Sequence, residues 1–176
     1  SGTKSEYTLA SYLGRINYSL NDRYLFSLSI RRDGSSNFGP NNKWGVFPST
    51  SIGWNISEEE FMKKYRDWLS SLKLRVSYGS LGNNSTSTYY MYQSLYSANN
   101  YILNNTITGG LAQTVLSNAN LTWETTYMTN SGIDYGFFNN RLNGSIEWFN
   151  KDTKGILISL PVPLEHGTST VPNQNA

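Results

Sequence analysis

The sequence predicts an all-β fold, an antiparallel up-and-down meander of about six long strands with one short helix, as in a segment of a large outer-membrane β-barrel. Three observations predict it. Apolar and polar side chains alternate with period two over stretches of roughly a dozen residues, against the five or six usual in soluble sheets. Charged residues are only 15% and hydrophobic ones 38%, while aromatics reach 14%, led by thirteen Tyr. The connections between strands are short at one set of ends and long at the other. No apolar run approaches the ~18 residues of a membrane-spanning helix, but a membrane-spanning strand needs only about 9–11, with its apolar positions diluted by alternation.

The first hairpin joins residues 7–20 to residues 23–31. Ile16, Tyr18 and Leu20 alternate with Arg15, Asn17 and Ser19. After the Asn21-Asp22 turn, Tyr24, Phe26, Leu28 and Ile30 oppose Ser27, Ser29 and Arg31. Residues 33–43, DGSSNFGPNNK, read as a loop. Residues 44–56 form the third strand, with Val46, Thr50, Ile52 and Trp54 on one face; Pro48 removes a ladder donor and belongs near a strand start or a bulge.

Residues 57–69, SEEEFMKKYRDWL, read as the helix: Ser57 as cap, Glu60 completing a capping box, and Phe61, Tyr65, Trp68 and Leu69 on one face. Residues 72–82 alternate most cleanly, with Leu72, Leu74, Val76 and Tyr78 against Lys73, Arg75, Ser77 and Gly79. Residues 83–121 read as one long polar loop, in which 89–96 is a candidate strand. Alternation resumes over 122–138, turns at Asn139-Asn140 and returns over 141–152. An apolar stretch, 155–163, follows, and 164–176 reads as an unstructured tail. Trp54, Tyr78 and Trp123 fall near strand ends, where interfacial aromatic girdles lie.

Composition excludes several functions. A net charge of +2 gives no footprint for nucleic acid. Cys is absent and His166 is the single His, so disulfides, thiolate catalysis and Cys/His zinc sites are excluded, and no metal or cofactor is expected. GSLGNN follows a strand but opens no helix, so it is no phosphate loop. Asp134 and Glu147, five and seven residues from the 139–140 turn, are near neighbours on the polar face. Paired carboxylates of this kind serve glycosidases, but no other catalytic element accompanies them, and a hydrated face of mixed charge explains them. No catalytic residue is assigned, and the chain is not expected to be an enzyme. Tyr89, Tyr90, Tyr92, Tyr96 and Tyr101 are the candidate substrate-binding residues, because a Tyr ring stacks on sugar or peptide while its hydroxyl hydrogen-bonds. Alternation by itself also suits a soluble β-sandwich carbohydrate-binding module.

Three runs in order carry a resemblance: YLGRINYSLNDRYLFSLSIRRDGSSNFGPNNKWGVFPSTSIGWNISEEEFM, LKLRVSYGSLGN and NANLTWETTYMTNSGIDYGFFNNRLNGSIEWFNKDTKGILI. On these the chain resembles the SusC/RagA family of TonB-dependent outer-membrane transporters. The resemblance implies a plugged barrel of about 22 strands in the outer membrane of a Gram-negative bacterium, importing oligosaccharides or peptides. It implies as partners the rest of the barrel and its plug, a SusD-like surface lipoprotein lid, TonB and outer-membrane lipid. Residues 1–176 are then expected to be a mid-barrel part, without plug or TonB box. The 21–22 and 139–140 turns and the 57–69 helix would face the periplasm. The 33–43 and 83–121 loops and the chain after Lys154 would face outside.

Overall fold

A computed structural model describes residues 6–86, 89, 90, 92–159, 165 and 173–176. Six strands form one antiparallel sheet in chain order: β1 (Leu9–Leu20), β2 (Tyr24–Ser35), β3 (Trp44–Asn55), β4 (Leu69–Asn83), β7 (Glu124–Phe137) and β8 (Leu142–Lys154). Between β4 and β7 a separate hairpin, β5 (Leu95–Leu103) and β6 (Thr106–Val115), leaves the sheet. Strand β9 (Leu157–Ser159) pairs with β10 (Asn173–Asn175). The tail expected to be unstructured therefore carries a strand at Asn173–Asn175; His166 lies outside the described residues.

Asn and Asp set the tight turns. Asn21 and Asp22 adopt φ of 50° and 54°, and Asn104 and Asn105 adopt 49° and 61°. Two consecutive positive φ values match the right-handed twist of a hairpin, and Asn and Asp tolerate them better than other non-glycine residues. At the β7–β8 end the positive φ values run over Phe138, Asn139 and Asn140, a turn one residue longer than expected.

Register puts like with like. Ile16 faces Leu28, which faces Thr50, which faces Tyr78; one residue on, Asn17, Ser27, Ser51, Ser77 and Asn130 line up across five strands, and on β8 Phe149 stands opposite Asn130. The apolar side is the exposed one: Ile16 is 68% exposed, Leu28 56% and Ile146 64%. A soluble sheet buries that side. The apolar face is bounded by ring pairs at both ends, Tyr24 on Trp54 and Tyr12 on Trp44, the latter also under the Arg32 guanidinium at 4.8 Å. Tyr24 and Arg32 are eight residues apart, about 27 Å of strand. A tilted strand of that length crosses a hydrocarbon layer. Tyr78 stands level with Leu28, in the middle of this band rather than at its rim as the girdle pattern suggested.

The 57–69 segment is not an α-helix. It forms two 3-10 turns, Ile56–Glu58 and Glu60–Tyr65, closed by bonds such as Glu59 N–H to the Ile56 carbonyl. Ser57 sits inside the first turn, buried, and no side chain caps either turn, so the capping box does not form. Glu59 breaks the helix: it is extended, at φ −73° and ψ 148°, and sends its carboxylate to Tyr24 and Trp54. A helix this short depends on tertiary contacts, and the contacts available favour the turns.

Buried hydrophobic residues are few. Phe38, Phe47, Leu121 and Trp123 form one cluster at the long-loop end, and Met62 is buried at the other. The β3–β4 ladder stops at Ser49 opposite Gly79, next to Pro48. Past that point the Phe47 ring fills the gap, pressed on Gly82, where any Cβ would collide with it. Trp123 belongs to this cluster, tilted 47° on Phe38 and edge-on to Phe47, and not to a girdle.

Among the described residues, β1 and β8 each pair on one side only, and these open edges with the exposed apolar face make the chain a poor monomer in water. Taken alone into detergent-free buffer, it is expected to self-associate. A sharp peak of about 20 kDa by size exclusion with light scattering, with no dye bound to apolar surface, would contradict this.

Candidate functional site

The polar face is lined across its middle by Asn17, Ser27, Ser51, Arg75, Ser77 and Asn130, around a shallow cleft of about 480 Å³. Lys73 and Arg75 bring charge to it. The guanidinium lies over Gly132, where a Cβ would stand 3.0 Å from Cζ, and from there reaches two strands. Nε donates to Asp134 at 3.1 Å and Nη2 donates to Glu147. The two carboxylates that the hairpin count brought together are therefore held together, with a cation between them. Arg75 offsets the charge that a catalytic pair keeps for its substrate. Glu124 lies eight rungs away at the other end of β7, accepting from Asn83 Nδ2 and the Leu157 amide.

At the long-loop end, side chains clamp the loops to the wall. Asn84 donates to Ser35 Oγ at 3.1 Å and to the Tyr7 hydroxyl; Asn37 donates to the Asn84 carbonyl at 3.2 Å. Asp33 accepts from Arg31 at 2.7 Å and is almost wholly buried. Trp123 Nε1 donates to the Lys43 carbonyl, and Asn175 brackets Thr122 through its amide and carbonyl. This clamp escaped sequence reading because Asn, Ser and Gly in a loop show no period; DGSSN after a strand signals only a turn.

The five candidate tyrosines do not form one patch. Tyr89 and Tyr90 lie in a turn, and the strand expected over 89–96 begins only at Leu95. Tyr89 tilts against Tyr7 at 5.8 Å, Tyr90 donates to the Glu6 carbonyl at 2.5 Å, and Tyr92 accepts from Gln93 at 3.0 Å. Tyr96 and Tyr101 stand on the projecting hairpin, 62% and 51% exposed. Five residues apart on one strand, they lie on opposite faces.

At the short-turn end Glu59 gathers three donors: Tyr24 hydroxyl at 2.8 Å, Trp54 Nε1 at 3.1 Å and Arg23 Nη1 at 3.2 Å. The hydrogen bond from Tyr24 leads, with that from Trp54 next, in holding its carboxyl below the ordinary value of 4.5. Its stabilising contribution is complete above that value and is lost as pH falls through the lowered one. Stability of the parent barrel is expected to decline over that acidic interval, and Glu59→Gln is expected to flatten the decline. A scan of melting temperature against pH in which the variant and wild type stay parallel would contradict it.

The match to known proteins spans the whole chain. A family model described as TonB dependent receptor-like, beta-barrel, covers residues 1–176. The TonB-dependent receptor SusC of Bacteroides thetaiotaomicron is 40% identical over 172 residues, 96% of this chain and 17% of SusC. The TonB-dependent receptor P39 of Formosa agariphila is 41% identical over 165 residues, 94% of this chain and 15% of that receptor. The RagAB peptide transporter structure superposes with a TM-score of 0.85 at 33% identity, over 97% of this chain and 18% of that one. The chain thus spans about a sixth of the length of these relatives. Its two-sided wall, its register and these likenesses agree: the chain belongs to the TonB-dependent receptor β-barrel family, as part of a SusC/RagA-type barrel.

Proposed function

We propose that this chain is a wall segment of a TonB-dependent importer in the outer membrane of a Gram-negative bacterium, with no catalytic role of its own. The observation that carries the reading is the inverted sheet: apolar residues exposed in a band about 27 Å long, polar residues lining the other face. The short-turn end faces the periplasm and the long-loop end faces outside, as short and long connections are distributed in such barrels. The rest of the barrel pairs with β1 and β8, and a plug fills the lumen against the polar face. A SusD-like lipoprotein closes the outer mouth and TonB supplies energy. RagAB is a peptide transporter, and peptides or oligosaccharides are the substrates in view. Within this segment, Tyr96 and Tyr101 are the candidate contacts to substrate, because they are exposed on the outer hairpin. Tyr89, Tyr90 and Tyr92 are tied to the loop base and would support it.

The test is uptake of fluorescent peptides and oligosaccharides by cells carrying the full receptor. Uptake is expected to require both receptor and TonB, and to fall in Tyr96→Ala or Tyr101→Ala with barrel content unchanged. Uptake independent of the receptor would overturn the importer reading. Normal uptake in both variants would remove the tyrosines from it.

A further inference from the structure

Among the described residues, the crossover between β3 and β4 is the one connection at the short-turn end longer than a tight turn, and it folds toward the lipid side. Glu59 is held by Tyr24 and Trp54, both on the apolar face. Trp68 stacks on Phe137 at 5.7 Å with planes 8° apart, and Phe137 continues the apolar row of Ile133 and Tyr135. Tyr65 meets Trp68 edge-on at 6.5 Å, and Lys64 Nζ lies 4.8 Å over the Tyr65 ring. The rings thus form a chain, Tyr65, Trp68 and Phe137, running from the turn into the membrane-facing band. Tyr65 and Trp68 remain 39% and 49% exposed.

Strands β1 and β2 flank the crossover on one side and β7 and β8 on the other. Its charges are sorted: Glu58 pairs with Arg66, Glu60 with Lys63 and Glu59 with Arg23. Among the described residues, Lys64, Asp67 and Arg141 make no ion pair and all three are exposed, so two cations and one carboxylate are free at this end. Aromatic rings joined to an apolar band, beside free cations with apolar stems, match the boundary between acyl chains and phosphates.

We propose that residues 59–68 are an interfacial foot, in which Tyr65 and Trp68 lie among the glycerophospholipid headgroups of the leaflet at the short-turn end and Lys64 meets their phosphates. The proposal rests on the barrel reading above, and its test separates the two. The full receptor, with any native cysteines replaced, carries a single environment-sensitive fluorophore at Tyr65→Cys, at Trp68→Cys or, as control, at Phe26→Cys within the band. Each is placed in phospholipid nanodiscs with spin labels at the headgroup, deep in the acyl chain, or in water. The Tyr65 and Trp68 labels are expected to lose most of their emission to the headgroup quencher and little to the aqueous one. The Phe26 label should respond to the deep quencher. If Phe26 responds and both crossover labels answer only to the aqueous quencher, or to none, the foot is rejected and the barrel stands. If Phe26 does not respond, the barrel reading itself fails. Two label sites guard against a variant that does not fold, and heat-modifiable migration on gels reports folding of each.

Discussion

Trp123→Ala in the parent receptor is expected to release the long-loop end, costing about 3–5 kcal/mol locally, the range for removing a buried large aromatic. Trp123 is 9% exposed, its ring centroid lies 5.1 Å from Phe38 and 5.5 Å from Phe47, and its Nε1 holds the Lys43 carbonyl at 3.3 Å. Leu121 beside it is fully buried. Few other buried apolar side chains at this end can compensate, because the sheet itself turns its hydrophobic residues outward. Hydrogen exchange reads the effect: amides of residues 36–43 and 117–124 should lose protection while those of β2 and β4 keep it. Unchanged protection of both loops would refute a clamp centred on Trp123.

The second large effect separates the two faces within one strand. Leu28→Arg should destabilise the barrel by about 2–4 kcal/mol, the cost of a cation near the middle of the lipid face of a barrel. Leu28 lies four residues from Tyr24 and four from Arg32, midway between the ring pairs that bound the band. Ser27→Arg should cost far less, since Ser27 lines the hydrated side and shares it with Asn17 and Arg75. Leu74→Arg, level with Trp54 at the rim, should fall between them, because such costs shrink toward the interface. Denaturant titration of the barrel in lipid gives the order. Equal losses at positions 27 and 28 would contradict the assigned faces.

How much of this was legible in the sequence depends on what fixes each part. The strands were legible because a two-residue period is written directly in stretches such as Tyr24 to Arg31 and Leu72 to Gly79. The Asn21-Asp22 turn was legible because few residues accept its backbone angles. The 57–69 segment misled for a physical reason. Its local signals, Ser57, three glutamates and an apolar spacing, favour an α-helix, but Glu59 finds three donors, Tyr24 on β2, Trp54 on β3 and Arg23 in the β1–β2 turn, that sequence spacing does not reveal. The β5–β6 hairpin hid behind Asn, Thr and Gly, although Asn104-Asn105 is the same turn chemistry as Asn21-Asp22. Trp123 reads as a girdle residue by its place at a strand end; only the splaying of β3 from β4 beyond Pro48 makes room to bury it. Of the candidate site, the tyrosines were legible as residues but not as an arrangement, since loop conformation decides which of them stay exposed.

In the barrel reading, one face of this sheet meets lipid and the other meets water. The direct measurement is reaction of a water-soluble, membrane-impermeant maleimide with single cysteines substituted at positions 25 to 30 of β2, in the full receptor within its membrane. A period of two is expected: positions 25, 27 and 29 react, and positions 26, 28 and 30 are protected. Equal reaction at all six positions, or the opposite alternation, would contradict it.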